Sequence, residues 1–306
     1  MVTLRELRAP LQVIVTVSLL VILWQISDGE AVIDRLAHAD PVWVTAGFVC
    51  ATAAMGAAAM RWRYTARCVG AQLTVERSIK EFYLAGLLNQ VLPGGILGDA
   101  LRAWRHGKRV EHERGGMGMA IRAVVIERMA NQMAIAACML VSLVLWMWMP
   151  GAFSNPRIWV PLVGAAAIVA ALLVTIAALA RRHRGGRIER FLIDSREALL
   201  RPRTMLSQLG LGFMVTGSCV AMFYCAARAV HAPLSLFHLL ALVPGALFAM
   251  SIPISIGGWG LREASAVALW TMAGLPPEHA MASSVLYGIL SLLGALPGAV
   301  VLVVDR

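Results

Sequence analysis

The chain has 306 residues, of which 59% are hydrophobic and only 14% are charged, and its mean hydropathy is +0.73. A soluble globular domain usually carries about 25% charged residues, so this composition excludes an ordinary soluble protein. In a membrane protein, a net charge of +10 is typically due to basic cytoplasmic loops that face anionic lipid. No nucleic-acid partner is therefore expected.

Several apolar stretches are long enough to form full transmembrane helices, each of which needs roughly 20 residues. In chain order they cover residues 10–26, 42–60, 117–148, 158–180, 205–230 and 281–304. Two more apolar stretches, 82–99 and 237–273, are interrupted by proline and glycine. We therefore expect an all-α, polytopic transmembrane helical bundle with about six full spans. The bundle is expected to form a single transmembrane domain over residues 1–306.

The positions of lysine and arginine predict the orientation of the spans, because cytoplasmic loops carry an excess of both. Residues 61–80, 102–114 and 181–203 are basic, whereas residues 28–40 contain four acids and one arginine. We expect a multi-pass protein of the cell (inner) membrane, with both termini in the cytoplasm and residues 28–40 outside.

The two interrupted stretches are expected to be re-entrant, or broken, helical hairpins. Residues 82–99 have basic segments on both flanks, so they are expected to enter and leave on the cytoplasmic side. Residues 237–273 start outside and are expected to return there, with two short full spans as the alternative. Hairpins of opposite orientation are the pattern of an inverted repeat, with halves over about residues 1–180 and 204–306.

Residues 187–201 lie between these halves and combine apolar and charged side chains at helical spacing. Ile188, Phe191, Leu192 and Leu199 fall on one face, and the arginines and glutamates lie elsewhere. This pattern predicts an amphipathic helix that lies on the cytoplasmic leaflet.

The first break combines proline and glycine with polar side chains, and its candidate site residues are Asn89, Pro93, Gly94, Gly95, Asp99 and Arg102. Within a bilayer, non-helical backbone is tolerated only where protein buries it or where it lines a cavity. Asn89 is suited to hydrogen-bonding the freed backbone or a headgroup. Asp99 and Arg102 share one helical face, as either a gating ion pair or an ordinary helix start at the cytoplasmic surface.

The second break contains Gly257, Gly258 and Gly260 and is followed by Arg262 and Glu263. Glycine allows the backbone to approach a ligand closely, and the planar fork of arginine suits phosphate. These residues are candidate ligands of a lipid phosphate, with Arg262 as the main contact. The alternative is a structural pair between Arg262 and Glu263, or an arginine that reaches the headgroups from within the membrane.

Glu127 and Arg128 lie inside the apolar stretch 117–148, where ionisable side chains are costly and are expected to face the protein interior. They are candidate members of a gating charge network that includes Arg102 or Arg262. A proton relay and a purely structural ion pair are the alternatives.

No catalytic motif is evident, so the chain is not expected to be an enzyme. The P-loop signature GxxxxGK[ST] is absent, and so are the paired membrane aspartates of an intramembrane protease. The five cysteines form no CxxC pair and no histidines have metal-ligand spacing, so neither a metal nor another cofactor is expected.

Residues 82–102, 125–128 and 252–263 resemble the transmembrane-region family of lysylphosphatidylglycerol synthetases, also called the flippase-like family. The resemblance covers nearly the whole chain, and its first segment departs from the family at Leu97, where another glycine is frequent. Some members carry an aminoacyl-transferase domain. A chain that ends at Arg306 leaves no room for that domain, so the flippase-like part alone is expected.

The resemblance implies a translocase that moves a phospholipid or a polyprenyl-phosphate-linked lipid between leaflets, without specifying the cargo. The expected partners are such a lipid, the bilayer itself and, as an option, a second copy of the chain in a homodimer. The alternative is a membrane-bound accessory protein or enzyme of lipid or glycolipid modification.

Overall fold

A computed structural model describes residues 4–93, 95–109, 116–148, 186–252 and 254–304, and every regular element in these ranges is an α-helix. In chain order the helices are α1 (Leu4–Ile26), α2 (Gly29–Ala37), α3 (Pro41–Cys68), α4 (Val75–Val91), α5 (Leu97–Arg109), α6 (Gly116–Met147), α7 (Arg187–Leu199), α8 (Pro202–Ala229), α9 (Leu236–Met250), α10 (Leu261–Met272), α11 (Pro277–Ala295) and α12 (Pro297–Val304). The predicted span over residues 158–180 lies outside the described residues.

Four segments are long and apolar enough to cross a membrane, namely α3, α6, α8 and the continuous pair α11–α12. They correspond to four of the six predicted spans. The predicted span over residues 10–26 lies in α1, which meets α2 at an angle of 91° and forms with it either a broken span or a re-entrant loop. Many large apolar side chains, among them Phe213 on α8, are exposed, as contact with lipid requires. The all-α, multi-pass membrane fold is therefore confirmed, with four or five candidate spans among the described residues.

The acidic segment over residues 28–40 contains a short helix rather than only a loop. Asp28 precedes α2 and its carboxylate accepts a hydrogen bond from the N–H of Ala31 at 3.4 Å. Asp40 precedes α3 in the same way and accepts from the N–H of Val42 at 2.8 Å. Carboxylates at these positions satisfy N–H groups that have no partner within the helix. Two of the four acids therefore start helices.

Each predicted break separates two helices that pack against each other. The first break, residues 92–96, joins α4 to α5, and the second, residues 251–260, joins α9 to α10. A Cβ atom at Gly98 would lie 2.1 Å from the carbonyl oxygen of Ala85, so only glycine permits α5 to approach α4 this closely. We call these two units the first and second hairpin.

The hairpins start from opposite ends of the bundle. At one end, Arg105 and Arg109 of α5 pair with Glu81 near the start of α4, at 3.0 and 3.5 Å. At the other end, the N–H of Asp40 donates to the carbonyl of Ala229 at 2.9 Å, just before α9 begins. We call these the basic end and the acidic end. The described parts of the basic segments, residues 61–80, 102–109 and 186–203, lie towards the first, and the acidic segment 28–40 lies at the second.

Small residues bring the central helices close together. Helices α3 and α8 pack along much of their length, with Ala51, Ala54 and Ala58 of α3 buried. Short side chains allow close approach of two backbones within a membrane. The main apolar core lies beside this pair, among α8, α9, α10 and α11, and a smaller cluster surrounds Trp62 on α3. Helix α7 packs on α3, α6 and α8 at the basic end, where Arg122 and Asp194 form an ion pair at 2.5 Å.

Candidate functional site

A buried carboxylate on α6 holds three helices together near the centre of the bundle. Oε1 of Glu127 accepts hydrogen bonds from Nη2 and Nε of Arg61 on α3, at 2.7 and 3.2 Å. Its Oε2 accepts from Nη2 of Arg102 on α5 at 3.2 Å. All three side chains are almost fully buried. Because an isolated charge in this environment would be very costly, each of these groups depends on the others.

Asp99 extends this cluster to the first break. Its Oδ1 lies 2.7 Å from Nη2 of Arg102, and its Oδ2 lies 3.0 Å from Nη1 of Arg128 on α6. Asn89 at the end of α4 donates to the same Oδ2 at 3.2 Å and accepts from the N–H of Gly98 at 2.8 Å. Asn89 thus bonds both the freed backbone and the acid that follows it. We call Arg61, Asp99, Arg102, Glu127 and Arg128 the central charge cluster.

Aromatic rings take part in holding Arg102. Its guanidinium carbon lies 4.5 Å from the ring centre of Trp62 and 4.7 Å from that of Phe82. Its Nε and Nη1 atoms have no hydrogen-bond partner among the described residues. Cation–π attraction is strongest where the cation is shielded from water, so the two rings stabilise the part of the guanidinium that no oxygen reaches.

The central charge cluster has an excess of positive charge. Three guanidiniums face only two carboxylates, which leaves an excess of one positive charge inside the bundle. Four of the five side chains are buried or nearly so, whereas Arg128 is 42% exposed. Its Nη2 donates to the carbonyl oxygen of Gly95 at 2.9 Å. Arg128 therefore links the cluster to the first break and presents the excess charge at an accessible surface.

That surface belongs to a cavity of about 430 Å³ between the two breaks. From the end of α4, the first break and α6 the lining includes Asn89, Gln90, Gly95, Arg128, Asn131 and Gln132. From the second break and α11 it includes Ser251, Ser255, Gly257, Gly258 and Tyr287. Arg128 is the only arginine, lysine or carboxylate among the described lining residues. A second cavity of about 240 Å³ shares Asn89, Arg128 and Asn131 with the first and reaches the buried part of the cluster. We call the larger space the central cavity.

The second break touches the last turn of α4 at this cavity. Gly257 has a φ of +56°, and a Cβ atom there would lie 2.8 Å from the carbonyl oxygen of Gln90. Glycine is needed on both counts, because other residues rarely adopt this φ and none would fit the space. The side chain of Gln132 donates to the hydroxyl of Ser251 at 3.0 Å, which adds a link between α6 and the second break.

Arg262 and Glu263 form a separate buried pair behind the wall of the cavity. Nε of Arg262 donates to Oε1 of Glu263 at 2.9 Å and to the hydroxyl of Ser284 at 3.1 Å. The other oxygen of Glu263 accepts from the N–H of Gly260 at 2.7 Å, at the start of α10. Arg262 is only 2% exposed, and its guanidinium carbon lies 5.1 Å from the ring centre of Tyr287, which lines the cavity.

This geometry separates the predicted site residues into two groups. Asn89, Gly95, Asp99, Arg102, Glu127, Arg128, Gly257 and Gly258 lie at the central charge cluster or the central cavity. Gly260, Arg262 and Glu263 belong to the neighbouring neutral pair. The headgroup role of Arg262 stays a prediction, and its pairing with Glu263 favours the structural alternative. Pro93 lies in the first break but not among the described lining residues, and Gly94 lies outside the described residues.

Sequence reasoning missed Arg61, Asn131 and Gln132. The basic segment 61–80 predicts a loop that includes Arg61, but α3 continues to Cys68 and buries it. The available signal was the helical spacing of Trp62, Thr65 and Ala66 after it, which are also buried. Among the residues the structure describes, no group of three histidine, cysteine or acidic side chains is placed to hold a metal ion.

Comparison with known proteins agrees with the membrane fold. None of the curated proteins compared with this chain matches it. A family model does match, that of the lysylphosphatidylglycerol synthase TM region, and it covers residues 11–298. The match includes both breaks, the central charge cluster and the central cavity. Since it extends over nearly all of this multi-pass membrane protein, the chain belongs to the lysylphosphatidylglycerol synthase TM region family.

Proposed function

We propose that this protein is a lipid translocase, which moves a phospholipid or a lipid-linked intermediate between the leaflets of the cell (inner) membrane. The observation that carries the proposal is the meeting of two helix breaks, one from each part of the chain, at a cavity with an accessible guanidinium. Paired breaks of this kind mark the binding sites of many transporters, and intramembrane charges are usually functional. Membership of a flippase-like family is in keeping with it.

The depth of the cavity suits the passage of a headgroup. Arg128 lies six residues further along α6 than Arg122, which pairs with Asp194 of α7 at the basic end. At about 1.5 Å per residue, this places it roughly 9 Å deeper in the bundle than that ion pair. The hydrocarbon core of a bilayer is about 30 Å thick, so Arg128 lies well inside the membrane in this proposal. A polar headgroup would occupy the cavity while its acyl chains remain among the lipids.

The hairpins provide a route for alternating access. In this proposal the basic end faces the cytoplasm, because cytoplasmic segments are enriched in arginine and lysine. The first hairpin is then re-entrant from the cytoplasm and the second from outside, as an inverted repeat, and α7 lies on the inner leaflet. Movement of one hairpin relative to the other would open the cavity to one leaflet at a time. The contacts that must break are those of Gly257 with Gln90 and of Ser251 with Gln132.

The proposal is tested with purified protein in proteoliposomes that contain a trace of fluorescently labelled phospholipid. A membrane-impermeant quencher reports how fast label leaves the protected leaflet, and protein-free liposomes give the background. We expect movement above this background. A cysteine pair at Gln132 and Ser251, in a cysteine-free chain, should stop it when bridged by a reversible thiol cross-linker and release it on reduction. Movement at the protein-free rate for anionic and zwitterionic lipids alike would refute the proposal and favour an accessory or enzymatic role.

A further inference from the structure

We propose that the central cavity selects headgroups that carry a single negative charge as a phosphodiester, and that Arg128 is the residue that selects them. This inference rests on the proposed function, since it assigns the chemistry of the headgroup that occupies the cavity. It is drawn from the charge count of the central cluster and from the position of its one exposed member.

The charge count favours a monoanion. The central charge cluster carries one net positive charge, and the described lining of the central cavity contributes no carboxylate. A bound phosphodiester would bring the total to zero. A zwitterionic headgroup would leave the positive charge uncompensated and add an ammonium that faces no acid. A phosphomonoester dianion would leave a net negative charge. In a low-dielectric site each of these imbalances is costly.

The geometry allows Arg128 to bind a phosphate without leaving the cluster. Its contacts with Asp99 and Gly95 use two of its N–H groups. Because the side chain is 42% exposed, its remaining N–H groups can reach a ligand in the cavity. Arginine presents donors in a planar fork that matches two phosphate oxygens. Asn131 supplies a second donor beside it. Its amide oxygen accepts from Arg61 at 2.9 Å, which leaves its NH₂ group for a ligand in the cavity it lines.

The other arginines of the cluster are not available for this role. Arg61 and Arg102 are buried, and their guanidiniums contact Glu127. They set the charge of the cluster but do not line the central cavity. Arg262 is neutralised by Glu263. Selection by charge therefore depends on Arg128, and its loss should remove the preference while the buried pairs persist.

The experiment measures lipid binding to the full-length protein in mixed micelles by native mass spectrometry. The probes are phosphatidylmethanol, a minimal phosphodiester monoanion, phosphatidylethanolamine, a zwitterion, and phosphatidic acid, a phosphomonoester. Inorganic phosphate is added as a competitor. We expect phosphatidylmethanol to bind about tenfold more tightly than either of the other lipids. Arg128→Gln should abolish that preference, and Arg128→Lys should keep part of it. The matched control is Arg201→Gln, which removes an exposed arginine paired with Glu197 and should leave the preference unchanged.

A further variant tests the charge count itself. Asp99→Asn raises the net charge of the cluster by one, so the preference should shift from phosphatidylmethanol towards phosphatidic acid. Equal binding of all three lipids, or a preference that survives Arg128→Gln in folded protein, would overturn the inference. Displacement of phosphatidylmethanol by millimolar inorganic phosphate would overturn it too, because the ligand would then be a free anion. Lipid movement without a charge preference in binding would refute this inference alone. Charge-selective binding without lipid movement would refute the proposed function.

Discussion

Replacement of Glu127 by glutamine tests whether the central charge cluster holds the bundle together. The variant keeps the shape of the side chain but removes the negative charge that faces Arg61 and Arg102. Both guanidiniums are buried, so water cannot take the place of the carboxylate. Removal of one partner of a buried ion pair typically costs about 3–5 kcal/mol, because the remaining charge is left unpaired. With roughly 2 °C lost per kcal/mol in a chain of this size, we expect the unfolding midpoint to fall by about 6–10 °C.

The assay is thermal unfolding of the purified protein in detergent, followed as loss of the monodisperse peak in size-exclusion chromatography. The double variant Arg61→Gln/Glu127→Gln restores the original net charge of the cluster, and we expect it to recover at least part of the lost stability. The control is Glu197→Gln, which breaks an exposed pair with Arg201 and should cost less than about 1 kcal/mol.

Two results would contradict this reasoning. The first is an unchanged midpoint for Glu127→Gln, which would mean that the carboxylate does not compensate the two guanidiniums. The second is a double variant whose losses simply add, because independent effects would show that Arg61 and Glu127 are not coupled.

Three further predictions concern packing, topology and the second buried pair. Gly98→Ala forces a Cβ atom against the backbone of α4 and should lower the unfolding free energy by about 1–3 kcal/mol or more. Gly217→Ala places its Cβ atom in open space and should change the unfolding free energy little. Equal thermal unfolding midpoints for the two variants would refute the close approach of α5 to α4. Single cysteines at the exposed positions Gln72 and Lys108 should both be protected from a membrane-impermeant thiol reagent added outside, and both should react after permeabilisation. Labelling of only one of them from outside would refute a re-entrant first hairpin. Arg262→Ala should lower the yield of folded protein but leave lipid movement per folded molecule close to wild type, and loss of movement in well-folded protein would favour a headgroup role.

The membrane class, most spans and both helix breaks could be predicted from the sequence because they are properties of contiguous residues. A run of apolar side chains reports its own preference for lipid, and proline with glycine ends a helix wherever it occurs. The ends of the helices were harder to predict, because contiguous residues do not show which charges other helices compensate. The predicted span over residues 42–60 stopped where charge began, but α3 continues through Arg61 to Cys68, because the charge is compensated from another helix.

The composition of the site was decided by tertiary structure. Arg61 and Glu127 are 66 residues apart, and their pairing depends on how α3 and α6 are rotated about their axes. The sequence pattern favoured Arg262 over Arg128 as the phosphate ligand, yet Arg262 is neutralised by its neighbour, and Arg128 carries the accessible excess charge. Both arginines are paired with a carboxylate, but only Arg128 belongs to a cluster with an excess of positive charge and lines the cavity. That balance depends on carboxylates and carbonyl groups from other helices, and packing alone brings them within reach.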